Sequence, residues 1–241
     1  MKNIRMIVAV LVSALIIAGL SSWDSQKSDN QLKSIEKPKT SATADEAENL
    51  TVATNSVEKC SNVNGMRFNM TLREFTVKYN NELKNQGEKT QIALNKWQKS
   101  GDVEKDNNGV EVQYWYYDDE KFNLTASVEA KSEKLLNIGL GTTLTQFMGT
   151  TDNQNNSDII LSKAALMAQA VCGFPEGSSA VLQDIFYRTT TGSNDTLWYK
   201  GYVFHLSTKE DKSDSKNNIM LFRVFPVTDE LKEEWKLVEY K

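Results

Sequence analysis

Apolar residues first settle into a helical rhythm at Leu72, Phe75, Tyr79 and Leu83, which share one face of a 3.6-residue turn. Thr71-Leu72-Arg73-Glu74 at the head of that run reads as a capping box. The Thr hydroxyl and the Glu carboxylate each accept a free N–H of the first turn, and Gly87 predicts the stop. The rhythm then changes to strands at 90–97, 109–117 and 121–129. In the last of these Phe122, Leu124, Ala126 and Val128 alternate with Asn123, Thr125 and Ser127, as expected for a sheet with one face covered. Asp118-Asp119-Glu120 between two strands predicts a hairpin turn, and 134–142 predicts a fourth strand through Leu136, Ile138 and Leu140.

A second helix is expected from Ser157 as N-cap, with Asp158 beside its positive end. Its buried stripe is Ile160, Ala164, Met167, Ala168 and Val171, and Gly173 with Pro175 ends it. A shorter helix is expected over 178–187, strands over 196–207 and 218–226, and a short closing helix within 228–241 that buries Leu231, Trp235 and Val238. Strands at hairpin spacing, without a helix between each pair, argue against a parallel α/β sheet. The expected class is therefore α+β: an antiparallel sheet of about six strands packed by two main helices, plus a short C-terminal helix. It forms a single domain over 59–241.

The N-terminus has a different character. Lys2 and Arg5 precede an apolar run over 6–20, which is shorter than the roughly 17–25 residues of a membrane-spanning helix. Residues 1–22 read as a signal peptide or a marginal N-terminal anchor, and cleavage near Ser21 is favoured. Ile17-Ala18-Gly19 resembles the processing site of a bacterial lipoprotein leader, a family whose next residue is the lipidated cysteine. Here that residue is Leu20, which has no thiol to carry a lipid. Residues 23–58 are polar with few large apolar groups and read as a disordered tether.

Charge narrows the partners. The net charge is −4, and loss of a leader carrying Lys2 and Arg5 would leave 26 basic against 32 acidic side chains. A mildly acidic chain has little attraction for phosphate backbones, so no nucleic-acid partner is expected. Two cysteines in an exported chain predict one disulfide, Cys60–Cys172. Closing a loop of about 100 residues, it would add about 4–5 kcal/mol by the chain-entropy account.

Catalytic motifs are sparse. His205 is the one histidine, and strand alternation sets it opposite Tyr202, Phe204 and Leu206, on the more polar side. One His and two separated Cys cannot compose the usual zinc sites, and no nucleophile elbow accompanies the His. Asp118, Asp119 and Glu120 read as solvated turn charges. Asp152-Asn153-Gln154-Asn155 lacks the later Gly and Glu of an EF-hand, and Gly139-Leu140-Gly141 lacks the rest of a phosphate loop. No cofactor or metal is expected.

One sheet face stands out. Trp115 and Tyr117 fall opposite Val112, Tyr114 and Tyr116. If they share an open face with Asn123 and Thr125, they compose an aromatic and hydroxyl-rich binding surface; if helices cover them, they are core. Leader, tether, expected bridge and missing catalytic set together favour an exported, periplasmic or envelope binding protein without catalysis. It would act on a protein or cell-wall partner as an inhibitor, immunity or accessory protein. It would touch a membrane only through residues 6–20, if these are uncleaved. An envelope hydrolase working with carboxylates and no His, or a structural subunit of a secretion or conjugation apparatus, are the alternatives.

Overall fold

The computed structural model describes residues 56–60, 65–89, 91–118, 122–151, 154–192, 194–211 and 218–241. The leader and residues 23–55 of the expected tether lie outside these. The end of that tether is a strand: β1 (Val57–Lys59) pairs antiparallel with β2 (Met66–Phe68), and Val57 packs against the core.

Helix α1 (Leu72–Asn85) starts as the capping box requires. Glu74 N–H donates to the Thr71 hydroxyl at 3.2 Å, and the Glu74 carboxylate accepts the Thr71 N–H at 2.7 Å. Phe75, Tyr79 and Leu83 are buried. A 3-10 turn at Leu94–Lys96 stands where a strand over 90–97 was expected, and β3 (Gln98–Lys105) follows it. Then come β4 (Glu111–Asp118), β5 (Asn123–Glu129) and β6 (Leu135–Thr143), all antiparallel to their neighbours. A short helix α2 (Leu144–Met148) and the two-residue strands β7 (Thr150–Thr151) and β8 (Gln154–Asn155) lead to α3 (Asn156–Cys172). The N-cap of α3 is Asn155, not Ser157; its side-chain oxygen accepts the Ser157 N–H at 3.4 Å. Gly173 closes α3 in the left-handed conformation at φ 70°, which a residue without Cβ adopts at little cost.

Helix α4 (Ser179–Thr191) runs a full turn past the expected 187. Strand 196–207 proves to be two, β9 (Thr196–Tyr199) and β10 (Tyr202–Lys209), folded at Lys200 and Gly201 with φ 48° and 87°. β11 (Ile219–Pro226), α5 (Asp229–Glu234) and β12 (Val238–Glu239) complete the chain. Leu231 and Trp235 are only half-buried and Val238 is exposed, so the C-terminal segment buries less than its pattern implied.

The fold is α+β, but the sheet is larger than expected and mixed. Eight strands run in the order β12-β9-β10-β11-β6-β5-β4-β3, and β12 joins β9 in parallel. Two meanders meet where β6 pairs β11. Three long helices, α1, α3 and α4, cover one face where two were expected. Two cross-strand rows form that face: Leu197, Phe204, Val224, Ile138, Ala126 and Trp115, then Leu206, Phe222, Leu140, Leu124 and Tyr117. Phe186 of α4 sets its edge on the rings of Phe204 and Phe222. Burying such a ring contributes about 1.5–3 kcal/mol.

The expected Cys60–Cys172 bridge does not form; both cysteines are free and buried. Cys60 belongs to a small cluster with Val110, Val112 and Tyr114 on the second face of β4. Cys172 ends α3 inside the main core, on the helix-covered side. The sheet separates the two thiols.

Candidate functional site

Cross-strand partners in a sheet share a face, and this separates the residues first considered as a binding surface. Trp115 lies opposite Ala126 and Tyr117 opposite Leu124, so both aromatics stand on the helix-covered side. Tyr117 is buried with its ring 5.9 Å from Trp97, and Trp115 is half-buried with the Lys99 ammonium over it at 5.4 Å. Asn123 and Thr125 stand on the other face, opposite Asp118 and Tyr116. Asp119, Glu120, Asp152 and Asn153 lie outside the described residues.

That second face carries a continuous polar row. From β9 to β3 it reads Thr196, His205, Arg223, Gly139, Thr125, Tyr116 and Gln98, each directly opposite the next. Its two ends are satisfied. The Tyr116 hydroxyl donates to the Gln98 side-chain oxygen at 2.8 Å. At the other end the Thr196 hydroxyl donates to the Asp195 carboxylate at 2.9 Å and lies 2.7 Å from His205 Nδ1. A hydroxyl has one proton, so with that proton on Asp195 the Thr oxygen accepts from Nδ1–H, which assigns the tautomer.

The middle of the row is not satisfied. Arg223 Nε and Thr125 Oγ1 are buried without a hydrogen-bond partner. Between them Gly139 leaves the room they use. A Cβ there would stand 2.8 Å from Thr125 Oγ1, 3.0 Å from Leu221 Cδ1 and 3.2 Å from Arg223 Cγ. The neighbouring Asn137 donates to Ser127 at 2.9 Å, while its own side-chain oxygen is buried and unpartnered.

Electrostatics set the charge of the place. Arg223 is 7% exposed, and burial alone lowers its pKa to about 10, which leaves it cationic at neutral pH. Among the described residues it makes no ion pair. His205 is pushed down to about 3, by burial first and the Arg223 charge second, so it is neutral. The site thus carries one positive charge that no described side chain meets, an arrangement that costs several kcal/mol wherever water is excluded. At the His205 end, α5 lies across the face through Trp235, whose ring is 5.6 Å from His205 and 5.9 Å from Phe225.

Other charged clusters are closed. Arg67 pairs with Glu129 at 2.7 Å and Glu58 at 3.4 Å, and Ser132 donates to Glu129, fastening β2 to β5. Asp184 accepts from Arg188 at 2.8 Å and from the Tyr240 hydroxyl at 2.9 Å. Among the described residues no group of three His, Cys, Asp or Glu side chains could hold a metal ion. No described helix is long and apolar enough to cross a membrane.

Sequence reasoning passed over Arg223. Its signal was present: a lone charge inside the apolar strand Ile-Met-Leu-Phe-Arg-Val-Phe-Pro, where an ordinary core strand has none. No family model matches the chain, nor does any curated protein or solved structure.

Proposed function

We propose that this chain is an exported binding protein of the periplasm or cell envelope that acts without catalysis on a protein or cell-wall partner, as an inhibitor, immunity or accessory protein. One observation carries the reading: the second face of the sheet holds a buried guanidinium and a buried hydroxyl, Arg223 and Thr125, with bonding capacity that no described residue uses. Such unspent capacity is how a protein recognises something else, because a buried polar group left alone destabilises the free fold. A non-catalytic role is supported by the make-up of the row. Its one titratable base, His205, is neutral, buried and spent on Thr196, and the row itself holds no carboxylate or thiol. The leader pattern at 1–22 supports export.

The test is recovery of the tagged chain from the envelope of its native host, with identification of co-purifying molecules by mass spectrometry. A stoichiometric partner is expected. Recovery of none, together with turnover of a cell-wall glycan by the purified chain, would overturn the reading in favour of a hydrolase.

A further inference from the structure

We infer that in the uncleaved chain the second face of the sheet is the docking surface for the chain's own apolar run, residues 6–20. This rests on the reading of the chain as an exported binding protein, and adds that its binding face is masked until the leader is removed or enters a membrane. The face has a cover that the described residues do not supply. Leu221 of β11 stands on it between Gly141 of β6 and Ser207 of β10. Its Cδ1 lies 3.0 Å and 3.7 Å from where side chains on Gly139 and Gly141 would begin, so its flanks are a glycine floor and one small hydroxymethyl group. A leucine so placed on an open sheet would be well exposed. Leu221 is instead 1% exposed and Ser207 3%, and Ile219 is buried beside them. Leu221 and Ile219 join neither hydrophobic cluster of the described residues. Helix α5 overlies one corner of the face, through Trp235 near His205 and Phe225, and Cys60 another, beside Val112 and Tyr114. Leu221 is four residues along β11 from Phe225 and three strands away from β4.

The rest of the chain narrows the choice of cover. The segments 119–121, 152–153 and 212–217 are entirely polar, and the apolar residues of 23–55 are scattered. Residues 6–20 carry apolar side chains in series, broken by Ser13 alone. Wound as a helix this run is about 22 Å long, enough to cross β10, β11, β6 and β5, which span about 19 Å. Leu11, Ala14, Leu15 and Ala18 then recur on one helix face, and the two alanines let it lie close over Gly139 and Gly141. Residues 21–55 are long enough to carry the run there from Ser56. The Arg223 charge is desolvated under such a cover, which keeps the docking weak enough to reverse.

The full chain, Met1 to Lys241, purified without detergent, tests this in two ways. First, benzoylphenylalanine replaces Leu11 or Leu15, and the peptides it captures on illumination are identified by mass spectrometry. Cross-links into 203–209, 219–225 or 137–143 are expected, within one chain when light and isotopically heavy chains are mixed. Cross-links mainly to α1, cross-links mainly between chains, or none at all would overturn the docking. Second, Ser207→Cys sets a thiol of similar size under the cover, while both native thiols are buried. It should react slowly with a thiol reagent, and Leu11→Asp with Leu15→Asp should speed it at least tenfold, since each buried leucine lost is worth about that factor. Equal rates with and without the two aspartates would refute the cover. If Ser207→Cys does not fold, the cross-links decide. A run that docks, in a chain that brings down no envelope partner with or without the aspartates, loses only the functional reading. A partner recovered equally by both chains, with no cross-link to the face, removes only the docking.

Discussion

An arginine on a central strand, with glycine opposite on one side and a neutral imidazole on the other, is a cost to the free protein that its neighbours do not offset. Met has a stem of similar length and no charge to desolvate. Arg223→Met is therefore expected to stabilise the unliganded fold by about 1–3 kcal/mol, read as a higher urea midpoint at pH 7 with unchanged slope. A loss of similar size would mean the guanidinium is structurally paired. His205 makes a second prediction, with a sign. Its folded pKa of about 3 lies below the unfolded value near 6.5, so between these the unfolded state binds the extra proton. Stability is whole above pH 6.5 and falls as pH drops, by up to about 1.4 kcal/mol per unit, or about 2 kcal/mol between pH 8 and pH 5. The Glu82 and Asp158 carboxyls, raised by burial, act in the opposite direction, so the comparison must be internal. In His205→Gln the stability difference between pH 8 and pH 5 should shrink by that amount in paired urea titrations; an unchanged difference would show the imidazole titrates freely.

At the level of elements, helix α1 depends on its cap. Thr71→Ala removes one side of the capping box and should cost about 1 kcal/mol, measured by denaturant unfolding. The C-terminal strand β12 depends on Tyr240. The Tyr240 N–H donates to the Trp198 carbonyl at 2.9 Å, its hydroxyl to Asp184 at 2.9 Å, and Arg188 stacks 4.8 Å over its ring. Tyr240→Phe should cost about 1 kcal/mol and speed amide exchange in β12, with little change in β10 at the sheet centre. Much of this layer was legible: the box Thr71 to Glu74, the stripes of α1 and α3, and the strand alternations follow from side-chain periods of 3.6 and 2. Where reading failed, the physics is specific. β3 lies at the sheet edge with nearly every side chain exposed, so it has no alternation to read. Asn155 and Ser157 are both good N-caps, and local preference does not rank them. The binding-surface residues were misgrouped because alternation shows which residues of one strand share a face, while register decides which strands' faces coincide. The hairpin sets Tyr117 on Leu124, and the aromatic and hydroxyl positions part. The polar row was illegible for the same reason: Gly139 and Arg223 meet only because β6 and β11, distant in sequence, are neighbours.

The eight-stranded sheet is made from two meanders, and the β6–β11 seam that joins them lets the main core form on one side and a polar row, with a small apolar cluster around Cys60, on the other. That same two-sidedness decides the fate of the cysteines. An even number in a chain read as exported argues for a bridge on composition, yet the sheet lies between Cys60 and Cys172, and linking them would require one cluster to open. Each thiol is instead protected by its surroundings. Burial, then the Glu129 charge, pushes Cys60 up to about 11, and burial raises Cys172 well above the ordinary thiol range. Thiolate is the reactive form, so neither side chain offers much of it at pH 8, and stability rather than chemistry governs their exposure. The folded chain should therefore react negligibly with a thiol reagent over minutes at pH 8, and two thiols should titrate at once in denaturant without reductant. A bridged protein would give none in denaturant, and a rapid single thiol in the folded state would place Cys60 at the surface.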